Sequence, residues 1–146
     1  MRAVSKRAIS IWQTRRRAVA DGRAAEGTLP GGLNVERKAK RLYAQSKENE
    51  RPQVRELRIV CAYAFAVSEQ NADNGTIVTA PTCGSAGVLP AVLLYMQRTH
   101  NIPDAQVLRA LAVAGLLSGH RFPVRKPAVR QRSARPAPWP PPRCAL

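Results

Sequence analysis

The stretch from Val54 to Asn71 places the tightest limit on how this chain can fold. Leu57, Ile59, Val60, Cys61, Tyr63, Phe65 and Val67 sit there among alanines. The run is apolar on most faces, which predicts a helix packed on several sides rather than one lying on a surface. Such a helix must be covered, and the rest of the sequence supplies mainly helices to cover it. A second apolar helix is expected over Val88–Gln97. A third starts at Asn101-Ile102-Pro103-Asp104, where Pro103 needs no N–H, and Val107, Leu108, Leu111, Ala112 and Leu116 recur at helical spacing until about Ser118. Only Thr76–Thr79 is β-prone, and Asn71–Gly75 before it reads as a break. Upstream, the pattern predicts a short surface helix over Ile9–Arg23 with Ser10 as N-cap and Gly22 near its end. A basic helix is expected over Asn34–Ala44, and a polar linker containing Pro52 over Gln45–Gln53. The fold class expected is all-α: three to five helices, at most one short strand, and Gly-rich loops.

Charge divides the chain. Its 146 residues hold 24 Lys and Arg against 9 Asp and Glu, a net charge of +15. Residues 119–146 contain seven of the basic side chains, no acidic one and seven of the 12 prolines, which leaves +8 on the first 118 residues. This composition predicts a disordered tail over 119–146, a basic arm over 1–8 and a folded part over 9–118. The positive balance first suggests a polyanion partner, but there is no aromatic-rich RNA motif and no helix-turn-helix pattern. Only weak, salt-sensitive association with nucleic acid is expected, with no specific nucleic-acid partner. No run approaches the roughly 20 apolar residues of a membrane helix. The basic start Met1–Arg7 leads into Ser10, Gln13 and further arginines rather than a signal-peptide core. The chain therefore reads as cytoplasmic, without a membrane partner. Cys61, Cys83 and Cys144 are odd in number, far apart and in no CxxC spacing, so neither a disulfide framework nor a zinc site is indicated. A metal or cluster with ligands distant in sequence stays open.

Two small-residue stretches can carry chemistry. Glu26–Leu33 packs three glycines and a proline into eight residues, which marks a structured loop or hinge. Thr79-Ala80-Pro81-Thr82-Cys83-Gly84-Ser85-Ala86-Gly87 precedes a helix, so its open backbone N–H groups and the helix dipole can hold a carboxylate or phosphate. The competing reading is that its glycines only let two helices approach closely. It is not a Walker loop, since no Gly-Lys-Ser/Thr follows. Cys83 at the head of a helix suits a nucleophile, yet neither His100 nor His120 can be paired with it from sequence, and a packed small residue is the default. Cys61 reads as core. Lys38, Lys40 and Arg41 read as a solvated face before a phosphate site, and Asn71 and Asn74 as turn residues before substrate contacts.

Four motifs in order then give a resemblance. Ile11-Trp12, Glu26–Leu33, Ala64-Phe65-Ala66-Val67-Ser68-Glu69-Gln70-Asn71-Ala72 and Val78–Leu93 resemble, in order and spacing, the bacterial iron–sulfur L-serine dehydratases. The likeness covers roughly Ile9 to Ser118, the beginning of that family's alpha, or catalytic, region. It implies an L-serine ammonia-lyase: elimination from L-serine to pyruvate and ammonia, assisted by a [4Fe-4S] cluster with one iron not held by cysteine. The partners implied are L-serine and a serine dehydratase beta region or a second copy of the chain. With the loop physics, it makes Thr82, Cys83, Gly84, Ser85, Gly87 and Asn71 the candidate substrate-binding residues. The base stays unassigned.

The departures from the family matter as much. Its three cluster-ligating cysteines lie downstream of the matched part, so Cys61 and Cys83 do not correspond to them, and Cys144 lies in an unlike tail. This chain is expected to bind no conventional cluster, to be inactive alone, and to leave apolar helix faces uncovered. A basic binding module and a subunit-pairing remnant remain as alternatives. The family's next segment resembles Ala-Ser-Ile-Ser-Gly-Ala-Glu, one residue, Gly-Cys-Gln, Gly or Ala, then Glu-Val-Gly, and later Met and a run of alanines. Joining the third base of each tail codon to the first two of the next permits that series: the junctions from Gly119 to Arg125, Pro127 to Val129 and Arg130 to Ser133 fit it in order. Trp139 can only be TGG, so its junctions give Met, permitted, and Ala, required. The tail therefore reads as the family's cluster-binding segment in a shifted frame, the shift falling at about Leu117 to Gly119.

Overall fold

A computed structural model describes residues 2–31, 34–45, 50–80 and 82–121, with side chains from Lys6 in the first helix and up to Leu116 in the last. The elements in chain order are α1 (Arg2–Ala24), α2 (Ala39–Ala44), α3 (Pro52–Ala72), α4 (Val88–Thr99) and α5 (Asp104–Arg121). Among the described residues there is no β-strand, and the fold is all-α as expected. The tail from residue 122 onward, including Cys144 and Trp139, lies outside the described residues.

α3 is the hub. Its Tyr63, Ala66 and Val67 are buried with Trp12 and Val19 of α1, Ala39 of α2, Ala91 and Leu94 of α4 and Val107 of α5. Helices reach it from several sides because its apolar residues are not confined to one stripe. Pro52, expected in a linker, instead opens α3, where a missing N–H costs nothing. Arg58, one turn and a half further on, donates to the Leu42 carbonyl at 2.6 Å and pairs with Glu50 at 2.8 Å, tying the end of α2 to α3.

α1 corrects the expectation of a short surface helix. It begins at Arg2, Ser10 lies inside it with its carbonyl accepting from Thr14 Oγ1 at 2.9 Å, and Trp12, Arg15, Ala18 and Val19 are buried. The buried stripe runs through Trp12, Arg15, Val19 and Gly22, at helical spacing. An arginine and a glycine within that stripe conceal it from any reading that looks only for large apolar residues. Gly22 is required by packing: a Cβ there would lie 2.6 Å from the carbonyl carbon of Ala66, so α1 and α3 touch backbone to backbone.

The basic helix expected over Asn34–Ala44 is only the six residues of α2. Asn34 takes a left-handed φ of 47°, and Glu36 pairs with Thr28 in an isolated antiparallel bridge, flanked by Leu29 N–H to Val35 O at 2.8 Å and Arg37 N–H to Gly27 O at 3.0 Å. The described part of that stretch, Glu26–Gly31, is thus a structured loop that pairs with the residues around Glu36, with Gly27 at φ 98° and Gly31 at φ 140° supplying the turns. α2 starts only where Glu69 of α3 can cap it: Glu69 Oε1 accepts from Lys38 N–H at 2.6 Å and Ala39 N–H at 3.2 Å. No side chain of its own caps this helix. Replacing the buried Glu69 with Ala strands two donors and should cost about 2 kcal/mol. The check is the urea midpoint, and Glu69→Gln, which keeps one acceptor oxygen, should recover most of the loss.

Thr76–Thr79 forms no strand. Ile77 and Val78 are buried, Ile77 within the core cluster, after a turn in which Asn74 adopts φ 58°. That β-prone stretch contributes burial and a single bridge residue, Val78, rather than a strand. On α5 the expected stripe is covered only at its start. Val107 is buried and Leu108 and Leu111 are half-buried, whereas Ala112 is exposed and Leu116 is 73% exposed. α5 touches α1 and α4, and its large apolar residues Val113 and Leu116 are left exposed. α3 and α4 also turn apolar residues outward, Leu57 at 64% and Val88 at 61% exposure among them. No helix among the described residues is long and apolar enough to cross a membrane.

Candidate substrate-binding loop

The chain from Thr79 to Gly87 joins the buried Ile77-Val78 pair to the head of α4. Its position is fixed at both ends. At the near end Arg15 of α1, buried, donates from its guanidinium to the Thr79 carbonyl at 3.3 Å. Burial pushes the pKa of Arg15 below its ordinary value, although a guanidinium remains charged. At the far end Gly87 is buried, and a Cβ there would lie 2.6 Å from the Ala64 carbonyl oxygen of α3. The reading that a glycine lets two helices approach therefore holds at Gly87. It does not hold at Gly84, which is exposed and whose Cβ would meet nothing nearer than Thr82 Oγ1 at 3.9 Å.

Between these ends the loop is held by its own hydroxyls. Ser85 Oγ donates to the Ala80 carbonyl at 2.5 Å, and Thr82 Oγ1 and Ser85 Oγ are 3.0 Å apart. With the serine proton given to Ala80, the threonine hydroxyl is the donor of that pair. Ser85 N–H returns to Thr82 Oγ1 at 3.3 Å. Both hydroxyl protons are thereby used inside the loop, so these side chains shape it. What remains for a ligand is backbone: among the described residues the N–H groups of Cys83 and Gly84 have no hydrogen-bond partner, and no side chain caps α4. Unpaired N–H groups in a turn just ahead of a helix favour an anion.

Of the other residues singled out, Asn71 sits half-buried in the last turn of α3, and no hydrogen bond among the described residues ties it to the loop. Asn74 takes the turn role. Lys38, Lys40 and Arg41 are exposed, and Lys40 pairs with Glu26. Cys61 is half-buried inside α3 and Cys83 half-buried in the loop, both as free thiols. Arg15 is a residue of this site that local pattern barely announces. Its one signal is an arginine placed on the same face as Trp12 and Val19, where a cation must be buried if the helix is.

An iron–sulfur cluster needs several thiolate ligands converging on one point. Among the described residues no group of three or more His, Cys, Asp or Glu is placed to hold a metal ion. The donor set of the described part does not fit such a cluster.

Fold and loop together define an all-helical domain that presents an ordered small-residue turn at the head of a helix. The chain belongs to the serine dehydratase alpha chain family, whose model matches residues 1–121. It is 40% identical over 110 residues to an L-serine dehydratase of Streptomyces coelicolor, covering 75% of this chain and 24% of that protein. To an L-serine dehydratase of Haemophilus influenzae it is 36% identical over 119 residues, covering 79% and 26%. To one of Mycobacterium tuberculosis it is 42% identical over 101 residues, covering 64% and 22%. The match thus spans about a quarter of the length of these relatives.

Proposed function

We propose that this chain is the first part of the alpha region of an L-serine dehydratase, a cytoplasmic lyase that in complete form converts L-serine to pyruvate and ammonia with a [4Fe-4S] cluster. Alone, the chain is catalytically inactive. The observation that carries this reading is the family match over residues 1–121 to relatives named L-serine dehydratase, a match that stops where the Arg/Pro tail begins. The outward apolar residues of α3, α4 and α5 support it, since they suit helices that belong to a larger core. The remainder of an alpha region, a beta region or a second copy would supply that cover.

Within this reading the Thr82–Gly87 loop binds the serine carboxylate. The free N–H groups of Cys83 and Gly84 and the start of α4 receive the charge, the Thr82 and Ser85 hydroxyls shape the loop, Gly87 seats it on α3, and Asn71 at the end of α3 is the further substrate contact. In a full-length relative with the same loop, Thr82→Val combined with Ser85→Ala should abolish serine binding while the cluster's visible absorbance stays unchanged. Unaltered serine affinity in that double variant would remove the loop from the substrate site.

The tail over residues 119–146 is the cluster-binding segment of the same alpha region in a shifted frame. Its ordered agreement with the family's next segment supports this, as does its acid-free, proline-rich composition. A basic module acting through that tail has only net charge in its favour.

A further inference from the structure

α1 and α4 flank a half-open cavity of about 260 Å³, built from residues other than those of the Thr82–Gly87 loop. Four arginines line it, Arg16, Arg17 and Arg23 from α1 and Arg98 from α4, over an apolar floor that includes Val19 and Leu94. Two of the four are fixed in an unusual way. The Arg23 guanidinium lies 4.2 Å over the ring of Tyr43, Tyr43 stacks on Tyr63 with ring centres 5.8 Å apart, and Arg98 lies 5.5 Å from the centre of Tyr63. Arg98 also donates to the Tyr63 phenol oxygen at 2.8 Å. The result is a ladder of Arg23, Tyr43, Tyr63 and Arg98 with a guanidinium at each end, and both ends line the same cavity.

A ring face orients a guanidinium without cancelling its charge. Among the described residues neither Arg23 nor Arg98 pairs with a carboxylate. Arg16 and Arg17 meet Asp104 and Asp21 at 3.6 Å each, in exposed pairs that hold little energy. Four cations against two carboxylates leave two positive charges unmatched around a cavity with an apolar floor. Planar N–H forks suit the tetrahedral oxygens of a phosphate, and the floor suits a short carbon chain. We propose that this cavity is a binding site for a small dianion of the phosphate class, as a phosphomonoester or as free phosphate, held by the arginines that line it.

The test uses the full chain at low-micromolar concentration, titrated by calorimetry with glycerol phosphate, inorganic phosphate and malonate, with helix content followed by circular dichroism. Saturable one-to-one binding of a phosphate ligand is expected. It should weaken roughly tenfold or more in Arg23→Gln and in Arg98→Gln. Arg17 is 84% exposed, so Arg17→Glu leaves the packing alone and should weaken binding as much. Arg55→Gln removes the same single charge as Arg23→Gln and Arg98→Gln, from an exposed position on α3 outside the cavity, and should change nothing. Tighter binding of the ester identifies a phosphomonoester, and equal affinity identifies free phosphate; either supports the site. Absence of saturable binding, equal loss in Arg55→Gln and the cavity variants, or malonate binding as tightly as phosphate overturns it.

Discussion

Gly22→Val should lower the melting temperature of the domain by at least about 10 °C, or remove a cooperative transition altogether. The branched side chain would enter the contact between α1 and α3, where even a Cβ falls 2.6 Å from the carbonyl carbon and 2.9 Å from the Cα of Ala66. Overpacking a core typically costs about 1–3 kcal/mol when side chains can shift. Here the obstacle is the backbone of the central helix, which cannot turn aside, and a small domain has only about 5–15 kcal/mol in total. Thermal denaturation followed by circular dichroism reads the effect. Gly115 on α5 is the control: a Cβ there meets nothing within 4 Å, so Gly115→Ala should be neutral or slightly stabilising. A Gly22→Val chain that melts with the unaltered one would mean that α1 does not lie against α3.

The second large effect concerns activity and is all or none. Resequencing the gene across the codons for Leu116 to His120 and onward past Leu146 should show a missing or extra base. Protein made from the repaired frame should carry the Gly-Cys-Gln segment and form pyruvate from L-serine, whereas this 146-residue chain should form none. A confirmed sequence with no lost frame would instead leave a chain whose role lies in binding, and the cavity between α1 and α4 would become the first place to look for it.

The helices differ in how openly the sequence declares them, and the differences have physical causes. α3, α4 and α5 are legible because their apolar residues recur over three turns or more, the strongest local signal a chain can carry. α1 is half legible: its helical character shows, but its burial does not, because Arg15 and Gly22 stand where leucines would have advertised a core face. α2 is illegible in length. Its start depends on a carboxylate 30 residues downstream, and its N-terminal neighbours are drawn into the bridge between Thr28 and Glu36. The loop before α4 was legible as a place, through its small residues. The division of labour within it was not, because the use of the Thr82 and Ser85 protons inside the loop is set by distances between atoms.

Sequence by itself determined the fold class, the family and the loop on which a substrate site would be sought, because each rests on local periodicity or on ordered motifs. Only the tertiary structure decided that α1 is a core helix, that Glu69 caps α2 from another element, and that Arg23 and Arg98 close one cavity from opposite ends of a tyrosine pair. Those features join residues far apart in the chain, and what joins them is burial and distance, which no local pattern records.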